Sequence, residues 1–270
     1  MNQKLLPLLI AMTFVGGSMT VSAKSKLPKG KQPFATAEAH DTPEPDQMVE
    51  ASRAAKLCLP IKEVKRFDLL LPAHHRNGID ISHYQGLVDW EEVVKDEIGY
   101  VYLKATEGAS LVDETYERNL SEARRVGLKV GSYHFYSSRI SIEEQFSNLT
   151  SHIRPSEQDL IPLIDVETRG KLPHDEFVAN LRRFLQMVEE AYGTKPIIYT
   201  YQNFYNKYLV GEIPEYKLMI ACYKFEQPQL SDDKDYVMWQ FTSKGRVNGI
   251  RGSVDRSMLI DNHSLSEILM

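Results

Sequence analysis

Residues 160–167 read Leu160-Ile161-Pro162-Leu163-Ile164-Asp165-Val166-Glu167, an apolar run that ends in two acids one residue apart. The run is short and aliphatic, which suits a buried strand over Ile161–Glu167. Side chains alternate faces along a strand, so Asp165 and Glu167 share one face while Ile164 and Val166 share the other. Two rises of ~3.3 Å would set the two acid Cα atoms ~6.6 Å apart. A strand with one fully apolar face and acids at the C-terminal end of the other suits a β/α barrel. Helices cover the apolar face there, and chemistry sits at the C-terminal strand ends. An isolated Asp-x-Glu pair would also serve as helix caps or ion-pair partners, so the reading depends on what flanks it.

Upstream, strands are expected at Gly78–Ser82, Tyr100–Thr106 and Lys129–Tyr136. Helices are expected between them at Trp90–Asp96, at Asp113–Val126 with Gly127 in a C-cap position, and at Ser141–His152. Downstream comes the longest helix, Asp175–Tyr192, whose Phe177, Leu181, Phe184, Leu185 and Val188 form one stripe before Gly193. A strand at Pro196–Thr200 follows, and then the helical patterns fade. Lys217–Tyr223, Tyr236–Phe241 and Val254–Leu259 read as strands joined mainly by loops. Strands alternating with helices indicate parallel β/α units. Eight strands, five with helical partners and three nearly without, indicate an α/β fold: an eight-stranded (TIM-like) barrel with an incomplete helical ring.

The acids of 160–167 are not isolated on that barrel. In Gly78-Ile79-Asp80-Ile81-Ser82, Asp80 and Ser82 share a face opposite Ile79 and Ile81. In the second strand, alternation places Tyr102, Lys104 and Thr106 together, opposite Val101, Leu103 and Ala105. Tyr199 closes the fifth strand, Trp239-Gln240 lies in the seventh, and Asp255 follows Val254 in the last. A purely structural barrel would fill these positions with apolar layers. Burying several carboxylates costs free energy unless they pair or perform chemistry.

These segments resemble the glycoside hydrolase family 25 lysozymes. The opening Gly-Ile-Asp-Ile-Ser-His-Tyr-Gln-Gly at 78–86, with Asp89-Trp90 after it, is similar to the start of that family's domain. Lys104-Ala105-Thr106-Glu107-Gly108, Gly131-Ser132-Tyr133-His134-Phe135 and Ile164-Asp165-Val166-Glu167 resemble its second, third and catalytic fourth strands. Ile198-Tyr199-Thr200, Ile220-Ala221-Cys222-Tyr223, Trp239-Gln240-Phe241 and Val254-Asp255 continue in the family's order. The resemblance covers residues 76–262, and its strength lies in the ordered set. It implies a flattened barrel with three helix-poor C-terminal strands. It also implies hydrolysis of the β-1,4 bond between N-acetylmuramic acid and N-acetylglucosamine. No cofactor is expected, and no metal, since neither the cysteines nor the scattered histidines form a metal-binding spacing. Glu167 would then be the proton donor, Asp165 its partner, and Asp80 and Asp255 the rest of the acidic cluster. Tyr133, Tyr199 and Gln240 would line the sugar cleft, with His83, Tyr84, Lys104 and Tyr223 as further candidates. Arg256, directly after Asp255, departs from the pattern, and alternation points it outward.

The remaining sequence bounds the reading. Lys4, the apolar run Leu5–Val15 and Val21-Ser22-Ala23 form a signal peptide over residues 1–23, followed by an extension or linker at 24–73 and the barrel at 74–270. Met48–Leu59 could form one short helix in the extension. The chain is therefore expected to be exported, periplasmic or secreted, with no stable membrane insertion after cleavage. A formal net charge of −5 and no clustered basic patch argue against nucleic acid. The expected partner is peptidoglycan glycan, met by a monomer. Cys222 reads as a small core residue, with a bridge to Cys58 as the other possibility. His74-His75 reads as a surface pair. Two other functions fit the residues less well. A non-catalytic glycan-binding barrel fits less well because all four acids are present. A chitinase would carry Asp-x-x-Asp-x-Asp-x-Glu, which residues 160–167 do not match.

Overall fold

The computed structural model describes residues 76–260 and 262–270. The expected signal peptide and extension, the Met48–Leu59 helix, Cys58 and His74-His75 lie outside the described residues.

Nine strands are described: β1 Asn77–Ile81, β2 Tyr100–Glu107, β3 Leu111–Val112, β4 Lys129–Phe135, β5 Leu163–Asp165, β6 Ile197–Tyr201, β7 Leu218–Ala221, β8 Met238–Gly245 and β9 Val254–Leu259. Their order around the sheet is β1-β9-β8-β7-β6-β5-β4-β2, and β1 pairs again with β2, so eight strands close into a barrel. The two-residue β3 is an antiparallel addition to β2. Five helices accompany the strands: α1 Trp90–Val93, α2 Tyr116–Arg125, α3 Ile142–His152, α4 His174–Tyr192 and α5 Gln202–Tyr208. Local caps start two of them, with Asp89 accepting from the Glu92 N–H and Ser141 from the Glu144 N–H. Strands β7, β8 and β9 are linked without α-helices, as expected, whereas α5 is a short helix that the sequence pattern does not mark. Among the described residues no helix is long and apolar enough to cross a membrane.

One element departs from a parallel β/α series. β9 is antiparallel to both β8 and β1. Only residues 246–253 join β8 to β9, and a parallel crossover needs about a dozen residues or more. The short link returns the chain alongside β8 and makes the barrel close through antiparallel pairs.

Strand alternation divides the apolar side chains into two cores. Ile79, Ile81, Val101, Leu103, Val130, Ile164, Val166, Ile198, Ile220 and Trp239 face outward and pack with Leu181, Phe184, Leu185 and Val188 of α4. Tyr100, Tyr102, Leu163, Ile197, Met219, Met238 and Leu259 fill the barrel interior. Gly131 makes room for them, since a Cβ there would lie 2.5 Å from Tyr102 Cε1 and 2.8 Å from Leu160 Cβ. Leu265 and Ile268 join this inner core from the C-terminal segment. That segment is fastened by the Ile161 N–H to Ile268 carbonyl bond of 2.8 Å and the Met270 N–H to Asp159 carbonyl bond of 3.0 Å. It contacts Leu160 and Ile161, just before β5, so the apolar filling occupies the end of the barrel opposite the strand C-termini. The polar positions remain at the other end.

Candidate active site

Antiparallel register sets Asp80 of β1 directly across from Asp255 of β9. β8 contributes Gln240, whose Nε2 donates to Asp80 Oδ2 at 2.9 Å. The amide oxygen of Gln240 accepts from the hydroxyls of Tyr199 at 2.9 Å and Tyr223 at 2.7 Å. Two phenols on the oxygen and a carboxylate on the nitrogen fix which way the amide points. Tyr201 meets Tyr199 and Tyr223 edge to face, at centroid distances of 6.1 and 6.3 Å. The three rings form one wall of aromatic and hydroxyl surface.

Asp165 ends β5, which is shorter than the expected Ile161–Glu167 strand. The backbone nevertheless keeps its sheet contacts past that point. The Tyr136 N–H donates to the Asp165 carbonyl at 2.9 Å, and the Val166 N–H donates to the Tyr199 carbonyl at 2.9 Å. Ile164 and Val166 lie in the helix-side core. Asp165 and Glu167 interact with each other and with Lys104, and Glu167 accepts a hydrogen bond from Tyr201. Asp165 is 8% exposed, and its Oδ1 has no hydrogen-bond partner among the described residues. Asp80, Glu167 and Asp255 are half-buried and keep some access to solvent.

Strand β2 does not follow simple alternation. The pairing of β2 with β4 shifts between Lys104 and Thr106, so Lys104 lies opposite Tyr133 but Thr106 lies opposite His134. Thr106 is therefore not on the face of Tyr102 and Lys104. Its Oγ1 sits 2.8 Å from Nδ1 of the buried His134, which packs against Phe184 of α4 on the helix side. The bulge re-aims the next residue as well, because one extra residue in a strand reverses the faces of those after it. Glu107 pairs with Lys104 at 2.6 Å, and the Lys104 ammonium lies 5.3 Å from the centre of the Phe135 ring.

Crowding and burial raise all four acids. Asp80 rises to about 8 through burial and the charge of Asp255, against the Gln240 hydrogen bond. Glu167 rises to about 7 through burial and Asp255, against Lys104 and Tyr201. Asp165 stands well above the ordinary carboxylate range through burial and Glu167, against Lys104. Burial lifts Asp255 to about 6. One lysine cannot compensate four carboxylates, so the cluster retains protons at neutral pH. It offers both a protonated acid and a charged carboxylate within one cleft.

The structure thus brings together Asp80, Asp165, Glu167, Asp255, Tyr133, Tyr199, Tyr223, Gln240 and Lys104. Tyr133 is half-buried and belongs through its interaction with Asp165, Asp80 and Asp255. His83 and Tyr84 are engaged differently. His83 Nδ1 lies 2.9 Å from Asp113 Oδ2, which also accepts from the His83 N–H at 2.8 Å. Tyr84 packs on the His83 ring and is 79% exposed. Sequence reasoning missed Glu107 and Tyr201. Alternation from Tyr199 would have found Tyr201, whereas nothing in the residue pattern marks the bulge that turns Glu107. Arg256 faces away from the acids and stacks over Phe241, a member of the helix-side core, at 5.9 Å. Cys222 is a buried free thiol 3.2 Å from Gln202 Oε1.

Asp80 also affects stability. Its carboxyl pKa is raised from 3.8 to about 8 in the fold. From pH 3.8 upward the unfolded chain gains a solvated charge that the folded cluster resists, so the group's contribution falls until pH passes about 8. Asp80→Asn removes this penalty and retains an oxygen for the Gln240 amide. A melting temperature raised by a few degrees at pH 8, with little change at pH 4, is expected by calorimetry. Equal shifts at both pH values would show that the penalty is absent.

Comparisons with known proteins agree with the fold. Residues 79–250 match the family model described as glycosyl hydrolases family 25. Over 200 residues the chain is 36% identical to the uncharacterized protein YegX of Escherichia coli strain K12, covering 72% of this chain and 73% of that one. It is also 36% identical over 180 residues to an autolytic lysozyme of Clostridium acetobutylicum, covering 66% of this chain and 54% of that one. The structure of a family 25 glycosyl hydrolase from Bacillus anthracis superposes with a TM-score of 0.65 at 28% identity, covering 71% of this chain and 91% of the other. By sequence, by fold and by the order of its strands, the chain belongs to glycosyl hydrolase family 25.

Proposed function

We propose that this chain is an exported N-acetylmuramidase that cleaves the β-1,4 bond between N-acetylmuramic acid and N-acetylglucosamine in peptidoglycan. The observation that carries this reading is Glu167. Burial and its acidic neighbours hold it at about 7, so a large share of the molecules keep this proton near neutral pH, where an ordinary glutamate has lost it, in a cleft still open to solvent. A glycosidase needs such a group to protonate the leaving oxygen. The lysozyme names of the Clostridium acetobutylicum and Streptomyces globisporus relatives support peptidoglycan as the substrate.

In this mechanism Glu167 donates its proton to the glycosidic oxygen as that bond breaks. Asp165 acts on the same sugar. Its unpartnered Oδ1 can accept the N–H of the acetamido group, which turns the acetamido carbonyl oxygen toward the reacting carbon. That oxygen closes a ring on the carbon as the leaving group departs, and Asp165 stabilises the positive charge that results. Glu167, now ionised, removes a proton from the water that opens the ring. Tyr133, Tyr199, Tyr201 and Tyr223 offer ring faces and hydroxyls to the sugars, while Gln240 holds Asp80. Asp255 raises the acid through its charge.

The retained acids argue against a glycan-binding barrel without activity. The test compares kcat/KM on a soluble muropeptide glycan with that on a chitin oligomer of equal length. A muramidase hydrolyses the first and leaves the second almost untouched. Turnover of the chitin oligomer alone would make the enzyme a chitinase, and binding of both without turnover would make it a glycan-binding protein.

A further inference from the structure

A second cavity opens on the same face of the barrel as the acid cluster. Ser138 and Arg139, between β4 and α3, and Lys171 and Leu172, between β5 and α4, line a cavity of about 400 Å³. Both loops leave the C-terminal ends of their strands, so the cavity is on the catalytic face, and Lys171 is four residues beyond Glu167. Its lining holds two cations and no acid. Arg139 and Lys171 are exposed, and neither is in an ion pair among the described residues. Ser138 is 7% exposed, and its hydroxyl is buried without a hydrogen-bond partner. A buried hydroxyl without a partner costs free energy in a finished fold and has a natural use where a ligand completes it. Gly170 supplies the space. It has a φ of +60°, and a Cβ on it would approach the Ser138 hydroxyl to 2.7 Å. A glycine here leaves the hydroxyl uncovered by any side chain of residue 170, and the Arg139 side chain runs past it within 3.8 Å of that Cβ position.

Two cations outside any ion pair and a hydroxyl donor lining one cavity suit a small anion with several acceptor oxygens. The glycan backbone of peptidoglycan is neutral. Its carboxylates are carried by the short peptide attached to the lactyl group of each muramic acid. We infer that Ser138, Arg139 and Lys171 form a subsite for a free carboxylate of this stem peptide, so that the enzyme recognises peptide-bearing strands as well as the sugar bond. The inference rests on the muramidase reading for the identity of the ligand, and its test does not depend on catalysis.

The test is binding of a glycan-free stem tetrapeptide, L-Ala-γ-D-Glu-L-Lys-D-Ala, to the full chain, followed by calorimetry and by amide NMR shifts. The expected result is saturable binding with shifts at 138–140 and 170–172. Binding should weaken at least ten-fold for the peptide with amidated carboxyl groups. It should also weaken at least ten-fold in the Arg139→Ala/Lys171→Ala protein, and measurably in Ser138→Ala. The amidated peptide needs no variant, so that arm stands even if a variant folds poorly. Equal binding of the two peptides, no binding, or binding of inorganic phosphate but not of the peptide would overturn the inference. A chain that binds the tetrapeptide but hydrolyses no glycan would sink the catalytic reading and leave the subsite standing.

Discussion

Glu167→Gln is expected to lower kcat/KM on a soluble muropeptide about a thousand-fold while the protein remains folded. The amide keeps the shape of the carboxyl group and can still accept from Tyr201, but it has no acidic proton for the leaving oxygen. General acid catalysis contributes roughly 10²–10⁴ in rate, and a thousand-fold loss is about 4 kcal/mol of transition-state stabilisation. The same group sets a limb of the pH profile. The working form of Glu167 is protonated, so kcat/KM is full below its pKa and falls as pH rises through about 7. The residual rate of the variant should lack this limb. A limb near the ordinary carboxyl value of 4.5, or a variant with more than a tenth of the wild-type rate, would remove Glu167 from the acid role.

Asp165→Asn is expected to cost about a hundred-fold or more in kcat, again with the fold retained. Asparagine preserves an oxygen that can meet the acetamido N–H, but it cannot ionise or take up that proton as positive charge develops on the ring intermediate, and electrostatic stabilisation of this kind is a large term in a dry site. The stereochemical outcome follows from the same geometry. Asp165 and Glu167 approach from one wall of the cleft, so Asp165 is poorly placed to attack from the far side of the sugar. The acetamido oxygen does this from within the substrate, and two displacements return the original configuration. NMR of the first-formed product should therefore show the β-anomer. An initial α-anomer would mean inversion. A trapped glycosyl-aspartate would retain configuration but replace the assisted route. Asp80 is a poor candidate for that nucleophile, because it is bound by Gln240 and stays largely protonated below about 8, which leaves Asp255.

Much of this site can be read from strand alternation alone. Ile79 and Ile81 against Asp80, Ile164 and Val166 against Asp165, and Ile198 against Tyr199 each sort into opposite faces as the pleat requires. Alternation fails where the backbone departs from a regular strand. At Lys104-Ala105-Thr106 a bulge moves Thr106 to the helix side and turns Glu107 to Lys104, and these residue types carry no signature of a bulge. Long-range closure is equally hidden. The antiparallel return of β9 puts Asp255 across from Asp80, yet the 246–253 link reveals its consequence only once β1 is known to be the neighbour. The preference of His83 for Asp113, 30 residues away, depends on the same kind of tertiary contact. Gly170 and Ser138 lie in loops whose spacing says nothing of their approach.

The new reducing end left by hydrolysis identifies the bond that is cut. Purified sacculi digested with the protein, reduced with borohydride and hydrolysed to their sugars should yield new muramitol, because a muramidase leaves N-acetylmuramic acid at each new reducing end. New glucosaminitol in its place would show that the other glycosidic bond is cut, and sacculi with no new reducing ends would contradict glycan hydrolysis altogether.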